Sequence, residues 1–229
     1  NRARMLEEMN DHRLMIKYSS KHTPEQLKPF DDYFRPRNEA MLAANLNDVE
    51  RTKWNYQRYI KNYLRCVKAV DESIGQLLEY LDESGLADNT IVIYSSDQGF
   101  YLGEHGLFDK RWMYEESLRS PLLVRWPGVT KAGTVNDTDI VSNLDFAQTF
   151  LDLADAEIPN DMQGRSLVPI FKNETPQDWR EYHYYHYYEH GGHGVPLHFG
   201  VTNGHFKLIR YPDEENDTWE LFDLKNDPM

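Results

Sequence analysis

Thr90-Ile91-Val92-Ile93-Tyr94-Ser95 is the stretch whose reading decides the fold. Short, apolar and β-branched, it has the composition of a buried parallel strand. An amphipathic helix precedes it: from about Val49 onward, Tyr59, Ile60, Tyr63, Val67, Val70, Ile74, Leu77, Leu78 and Leu81 recur at spacings of three and four, and Gly85 supplies a stop. A polar segment follows, Asp97 to Arg111, punctuated by Gly99, Gly103 and Gly106, before a second strand at Pro121 to Trp126. A further helix spans Leu144 to Ala154, begins near Asn143 and ends before Pro159. Helices alternating with buried strands define an α/β fold, and a polar loop leaving the C-terminal end of a strand is where open α/β sheets hold ligands.

Towards the N-terminus the pattern weakens. Residues 19 to 48 are polar and interrupted by Pro24, Pro29 and Pro36, which predicts an irregular or loosely helical segment. Asn1 to Met9 is charged and helix-like, with no methionine at position 1, and reads as the middle of a chain. Beyond Phe171 the texture changes to aromatic runs at Tyr182 to Tyr188, Phe199 to Thr202, Phe206 to Tyr211 and Trp219 to Leu224. With turns at Asn203-Gly204 and across Pro212 to Asp217, these runs predict a small antiparallel sheet. The expected organisation is therefore an α/β region over residues 1–170 and a small α+β region over 171–229.

Composition narrows the function. Of the 229 residues 40% are hydrophobic and 28% charged, which is globular, and no apolar run is long enough to span a bilayer. A net charge of −13 argues against a nucleic-acid partner, so an anionic substrate needs a local cationic pocket. Cys66 is the only cysteine, which excludes an intrachain disulfide, and its place on the apolar side of the long helix predicts a core residue.

The chemistry concentrates in Ser95 to Arg111. Asp97 and Gln98 offer adjacent hard oxygens suited to Ca²⁺, although two side chains cannot fill its shell of about six to eight ligands. Lys110 and Arg111 add positive charge suited to an anion held against a metal. From the residues alone each has a plainer reading: Asp97 as a cap or turn residue, and Asp109 with Arg111 as a surface ion pair rather than sugar contacts. His105 could be a general acid, a substrate contact or a loop histidine. Five histidines, His183, His186, His190, His193 and His198, invite a transition-metal reading, but a strand would send His183 and His186 to opposite faces. His198, just before Phe199, is the better candidate for reaching a substrate from the C-terminal sheet.

Several motifs together resemble the sulfatase family of the alkaline-phosphatase superfamily: Ser95-Asp97-Gln98-Gly99, Gly103-Glu104-His105-Gly106, Lys110, and Tyr114 through Gly128. Similarity continues through Val141 to Asp145, Gln163 to Leu167 and Trp219 to Pro228. The resemblance implies the C-terminal part of an alkaline-phosphatase-like sandwich carrying a small antiparallel sheet. It also implies that Asp97 and Gln98 are Ca²⁺ ligands and that Lys110 contacts sulfate, leaving His105, Asp109, Arg111 and His198 as candidate substrate contacts. Phe34 to Ala40 and Trp54 to Tyr59 resemble the branch acting on 6-sulfated N-acetylglucosamine in glycans.

Such enzymes use a formylglycine made within a Cys/Ser-x-Pro-x-Arg motif, and none occurs here. The resemblance thus implies that the nucleophile and the paired aspartates completing the Ca²⁺ site lie in a missing N-terminal half, and that these residues alone are inactive. It implies a periplasmic, extracellular or lysosomal setting. Two other readings stay open: a phosphate or phosphonate ester hydrolase of the same superfamily, and a non-catalytic glycan-binding module.

Overall fold

The computed structural model describes residues 22–189, 191–213 and 215–227, so the helix-like opening Asn1 to Met9 and His190 lie outside the described residues. The chain divides into two compact units, the first ending at Tyr80 and the second beginning at Leu81.

The first unit holds α1 (Pro24–Ala43) and most of α2 (Asp48–Glu83). The segment expected to be irregular or loosely helical before residue 48 is a regular helix over Pro24–Ala43 that runs through Pro29 and Pro36. Thr23 explains its start: the Gln26 amide donates to Thr23 Oγ1 at 3.4 Å, the Thr23 amide donates back to Gln26 Oε1 at 2.9 Å, and Pro24 occupies the first turn, where no amide is needed. The internal prolines each forfeit a helix bond, and packing offsets that loss. Arg58 of α2 lies 4.1 Å from the Phe34 ring, and Arg65 donates to the Tyr33 hydroxyl.

Asn47 caps α2 by accepting from the amides of Val49 and Glu50, each at 3.1 Å. At the far end Gly85 adopts φ +70°, and the Leu86 amide returns to the Leu81 carbonyl at 3.0 Å, a left-handed stop of the kind its sequence predicts. Cys66, expected in a core, is exposed, because the apolar stripe around it is itself exposed at Leu64, Val67 and Val70.

In the second unit β1 (Val92–Ser95) pairs with β4 (Leu122–Arg125), and the pairing is antiparallel, not parallel as expected. A parallel partner would need a crossover that returns the chain to the starting end. Here the polar segment doubles back as a hairpin of β2 (Tyr101–Leu102) and β3 (Phe108–Asp109), then the short helix α3 (Glu115–Leu118), and delivers the chain in the opposite sense. The strands are also half-buried rather than buried, with Leu123 60% exposed.

A 3-10 turn at Asn143–Asp145 leads into α4 (Phe146–Leu153), and α5 (Val168–Phe171) follows. Asp145 is fully buried and tied: both its oxygens accept from the Arg180 guanidinium, and Oδ1 accepts from the Arg165 amide at 2.9 Å. The C-terminal runs form the expected antiparallel meander, β5 (His183–Tyr187), β6 (His198–Thr202), β7 (Phe206–Tyr211) and β8 (Thr218–Asp223), in that order. Its inner face buries His198, Lys207 and Ile209; Gly200 is required there because a Cβ would lie 2.3 Å from the Leu208 carbonyl oxygen.

Candidate active site

Ser117, on α3, joins the two loops that carry the candidate residues. Its carbonyl accepts the Gly99 amide at 2.8 Å, and its hydroxyl accepts the Arg111 amide at 3.1 Å. The first loop holds Asp97 and Gln98, the second Asp109, Lys110 and Arg111, and the β2–β3 hairpin connects them. Close approach is built into the first loop, since a Cβ at Gly99 would fall 2.0 Å from the Glu116 carbonyl oxygen. Asn143 secures the same loop by donating from Nδ2 to the Asp97 carbonyl at 2.6 Å.

The second loop is held in a conformation that side chains rarely adopt. Asp109 has φ 77° and Arg111 φ 108°, so Lys110 sits between two residues on the unfavourable side of backbone space. Arg111 pairs with the Asp109 carboxylate, and Lys110 Nζ lies 3.7 Å from the same group. The plain ion pair anticipated for Asp109 and Arg111 is therefore present. The Lys110 side chain stays about one-third exposed.

Asp97 is exposed, and Gln98 is half-buried; the Ser96 hydroxyl reaches Asp97 Oδ1 at 3.4 Å and donates to the Gln98 carbonyl at 2.9 Å. Carboxylate and carboxamide oxygens are the kind of hard donor that Ca²⁺ takes. Among the described residues no three His, Cys, Asp or Glu side chains gather to hold a metal, so the rest of such a shell has to come from other groups.

His105 adopts φ 54° and sets Nε2 3.2 Å from both oxygens of Glu116, a hydrogen-bonding contact with α3. His198 needs correction. Expected to reach a substrate, it is fully buried, with Nδ1–H donating to the Pro196 carbonyl at 2.9 Å. Its ring stacks on Trp112 at 5.8 Å and on Tyr187 at 5.3 Å, behind the Arg111 segment rather than at the surface. Burial holds its pKa below the ordinary histidine value, so the ring is a neutral packing group.

The sequence reading missed the residues that set this geometry. Ser117 and Asn143 lie inside recognised motifs without a readable role, and Tyr185, which donates from its hydroxyl to the Arg111 carbonyl at 2.8 Å, lies 74 residues away. Tyr101 donates to the Trp112 carbonyl at 3.2 Å. Neither bond leaves a local signature in sequence.

Comparison with known proteins gives the chain its family. The sulfatase family model matches residues 6–156, and the model for the C-terminal region of N-sulphoglucosamine sulphohydrolase matches 103–229. The chain belongs to the sulfatase family. It is 46% identical over 214 residues to an N-acetylglucosamine-6-O-sulfatase of Bacteroides thetaiotaomicron, covering 91% of this chain and 38% of that protein. Human arylsulfatase K is 35% identical over 173 residues, covering 72% of this chain and 31% of that protein. The chain thus spans well under half the length of these relatives. A solved protein in complex with its substrate, D-glucosamine-2-N,6-O-disulfate, superposes with a TM-score of 0.85 at 45% identity, covering 93% of this chain and 45% of that one. The phosphonate monoester hydrolase of Silicibacter pomeroyi superposes at 0.67 with 26% identity, covering 80% of this chain and 37% of that one.

Proposed function

We propose that the protein to which this chain belongs is a sulfuric ester hydrolase that removes 6-O-sulfate from N-acetylglucosamine or glucosamine units of sulfated glycans. The observation that carries it is the 46% identity to the N-acetylglucosamine-6-O-sulfatase across 91% of the chain. The superposition on a protein bound to a glucosamine disulfate supports the same substrate class.

In this reading Lys110 places its ammonium against the sulfate oxygens while a nucleophile bonds to sulfur, the S–O bond to the sugar breaks and an acid protonates the departing sugar oxygen. Asp97 and Gln98 would contribute two oxygens to a Ca²⁺ ion, which as a Lewis acid would neutralise the remaining sulfate charge. Asp109 and Arg111 present an acceptor and a donor side by side, a combination that recognises neighbouring sugar hydroxyls, and His105 is a further candidate contact. The formylglycine nucleophile would come from chain beyond these residues, because no Cys/Ser-x-Pro-x-Arg motif occurs in them. The 229 residues alone are then inactive, and the working enzyme is periplasmic, extracellular or lysosomal.

Sulfate release from N-acetylglucosamine 6-sulfate by the intact protein, with Ca²⁺ supplied, tests the proposal. Lys110→Ala is expected to lower turnover by roughly 10²–10³ with little change in melting temperature. Near-normal turnover by that variant would refute the assignment. The likeness to a phosphonate monoester hydrolase supports a second reading, and faster cleavage of a phosphonate monoester than of the sulfate ester would favour it.

A further inference from the structure

The backbone around Lys110 is pinned from three directions, and two of the pins come from outside the loop. The Arg111 amide is held by Ser117 Oγ at 3.1 Å, its carbonyl by Tyr185 Oη at 2.8 Å, and the following carbonyl, of Trp112, by Tyr101 Oη at 3.2 Å. These bonds bracket a residue with φ 108°, which follows another with φ 77° across Lys110. A loop residue with positive φ relaxes unless its surroundings over-determine it. Both peptide groups of Arg111 are spoken for, so relaxation would break a bond at each end.

Tyr185 is fixed on the inner face of β5 by register, paired with Gly200. Its ring packs 5.7 Å from buried His198, which in turn stacks on Trp112, so the hydroxyl has a rigid mount. The phenol stays protonated because burial raises its pKa, and it can act only as a donor to a carbonyl.

We infer that Tyr185 is a positioning residue for catalysis: through the Arg111 carbonyl the C-terminal sheet holds Lys110 at the geometry in which its ammonium meets the sulfate. This rests on the hydrolase reading above for the role of Lys110, whereas the tether itself rests only on the hydrogen bonds. Tyr185 touches no reacting atom, so its removal loosens the lysine without removing it. Misplacement of an electrostatic group lowers the rate of the chemical step more than it weakens binding.

The test uses the intact protein, with Tyr185→Phe to delete the hydroxyl, Ser117→Ala to delete the opposite pin, and Tyr184→Phe as a control. Tyr184 points to the other face of β5, where its hydroxyl meets His186 Nδ1 at 3.2 Å. Tyr185→Phe is expected to lower kcat for sulfate release about tenfold, the equivalent of one lost hydrogen bond, with KM within about twofold and melting nearly unchanged. Amide exchange across residues 108–113, read by mass spectrometry, should quicken in Tyr185→Phe and Ser117→Ala and stay as in wild type for Tyr184→Phe. Unchanged exchange would overturn the tether, and faster exchange with unchanged kcat in an active enzyme would overturn the positioning role. A wild-type protein that releases no sulfate would instead sink the hydrolase reading, and the exchange data would still decide the tether.

Discussion

Helix α2 and the loop from Asp97 to Arg111 are held by opposite means. The helix is built from bonds between residues four apart, begun by Asn47 and ended at Gly85. The loop contains left-handed residues and depends on Ser117, Asn143, Tyr101 and Tyr185, partners 6 to 74 residues distant for the bonds named here. A segment that satisfies its own backbone tolerates change at its surface. One that borrows partners is damaged wherever a partner or a point of close approach is altered.

Gly99→Ala should break that contrast most severely. The new Cβ would meet the Glu116 carbonyl oxygen at 2.0 Å and the Arg119 carbonyl oxygen at 2.6 Å, both backbone atoms that cannot swing aside. A loss of about 1–3 kcal/mol in denaturant unfolding is expected, with sulfate release falling further because Asp97 and Gln98 move with the loop. Unchanged stability would mean that the loop is not packed on α3 as described.

Acidification should act on the tethered region next. Burial holds the pKa of His198 below the ordinary value of 6.5, and that of His183 likewise, with Arg180 adding to the effect there. The unfolded chain takes up these protons near pH 6.5 and the native state does not, so stability is complete above that pH and falls below it, down to the folded pKa values. Melting temperature should therefore drop as pH is lowered through this window. His198→Phe should give a shallower slope; an identical slope would mean that His198 is not kept neutral by burial.

The smallest effect belongs to α2. Lys68 pairs with Glu72 one turn later, with both side chains largely exposed. Lys68→Ala should change unfolding free energy by less than about 0.5 kcal/mol. A loss of 2 kcal/mol or more would show that the helix, like the loop, depends on partners its local sequence does not reveal.

The legibility of the chain follows the same division. The α2 helix, its stop at Gly85 and the four C-terminal strands were readable because apolar spacing and turn residues report structure formed between near neighbours. Helix α1 was read only as irregular or loosely helical because Pro29 and Pro36 are unfavourable locally, whereas the Thr23 cap and the packing of Phe34 against Arg58 lie beyond propensity. The strand at Val92 was readable as a strand, but its antiparallel partner was not, since direction depends on where the intervening chain turns back.

By itself the sequence determined which residues carry charge and hard oxygens, that Asp97, Gln98 and Lys110 lie in motifs resembling the sulfatases, and where the strongest helix and the aromatic strands fall. Tertiary structure alone decided that Ser117 would join the two loops, that His198 would be enclosed, and that Tyr185 would reach the Arg111 carbonyl. The physical reason is range: periodicity and capping are interactions among residues a few positions apart, whereas a hydrogen bond across 74 residues exists only once a sheet has fixed both ends.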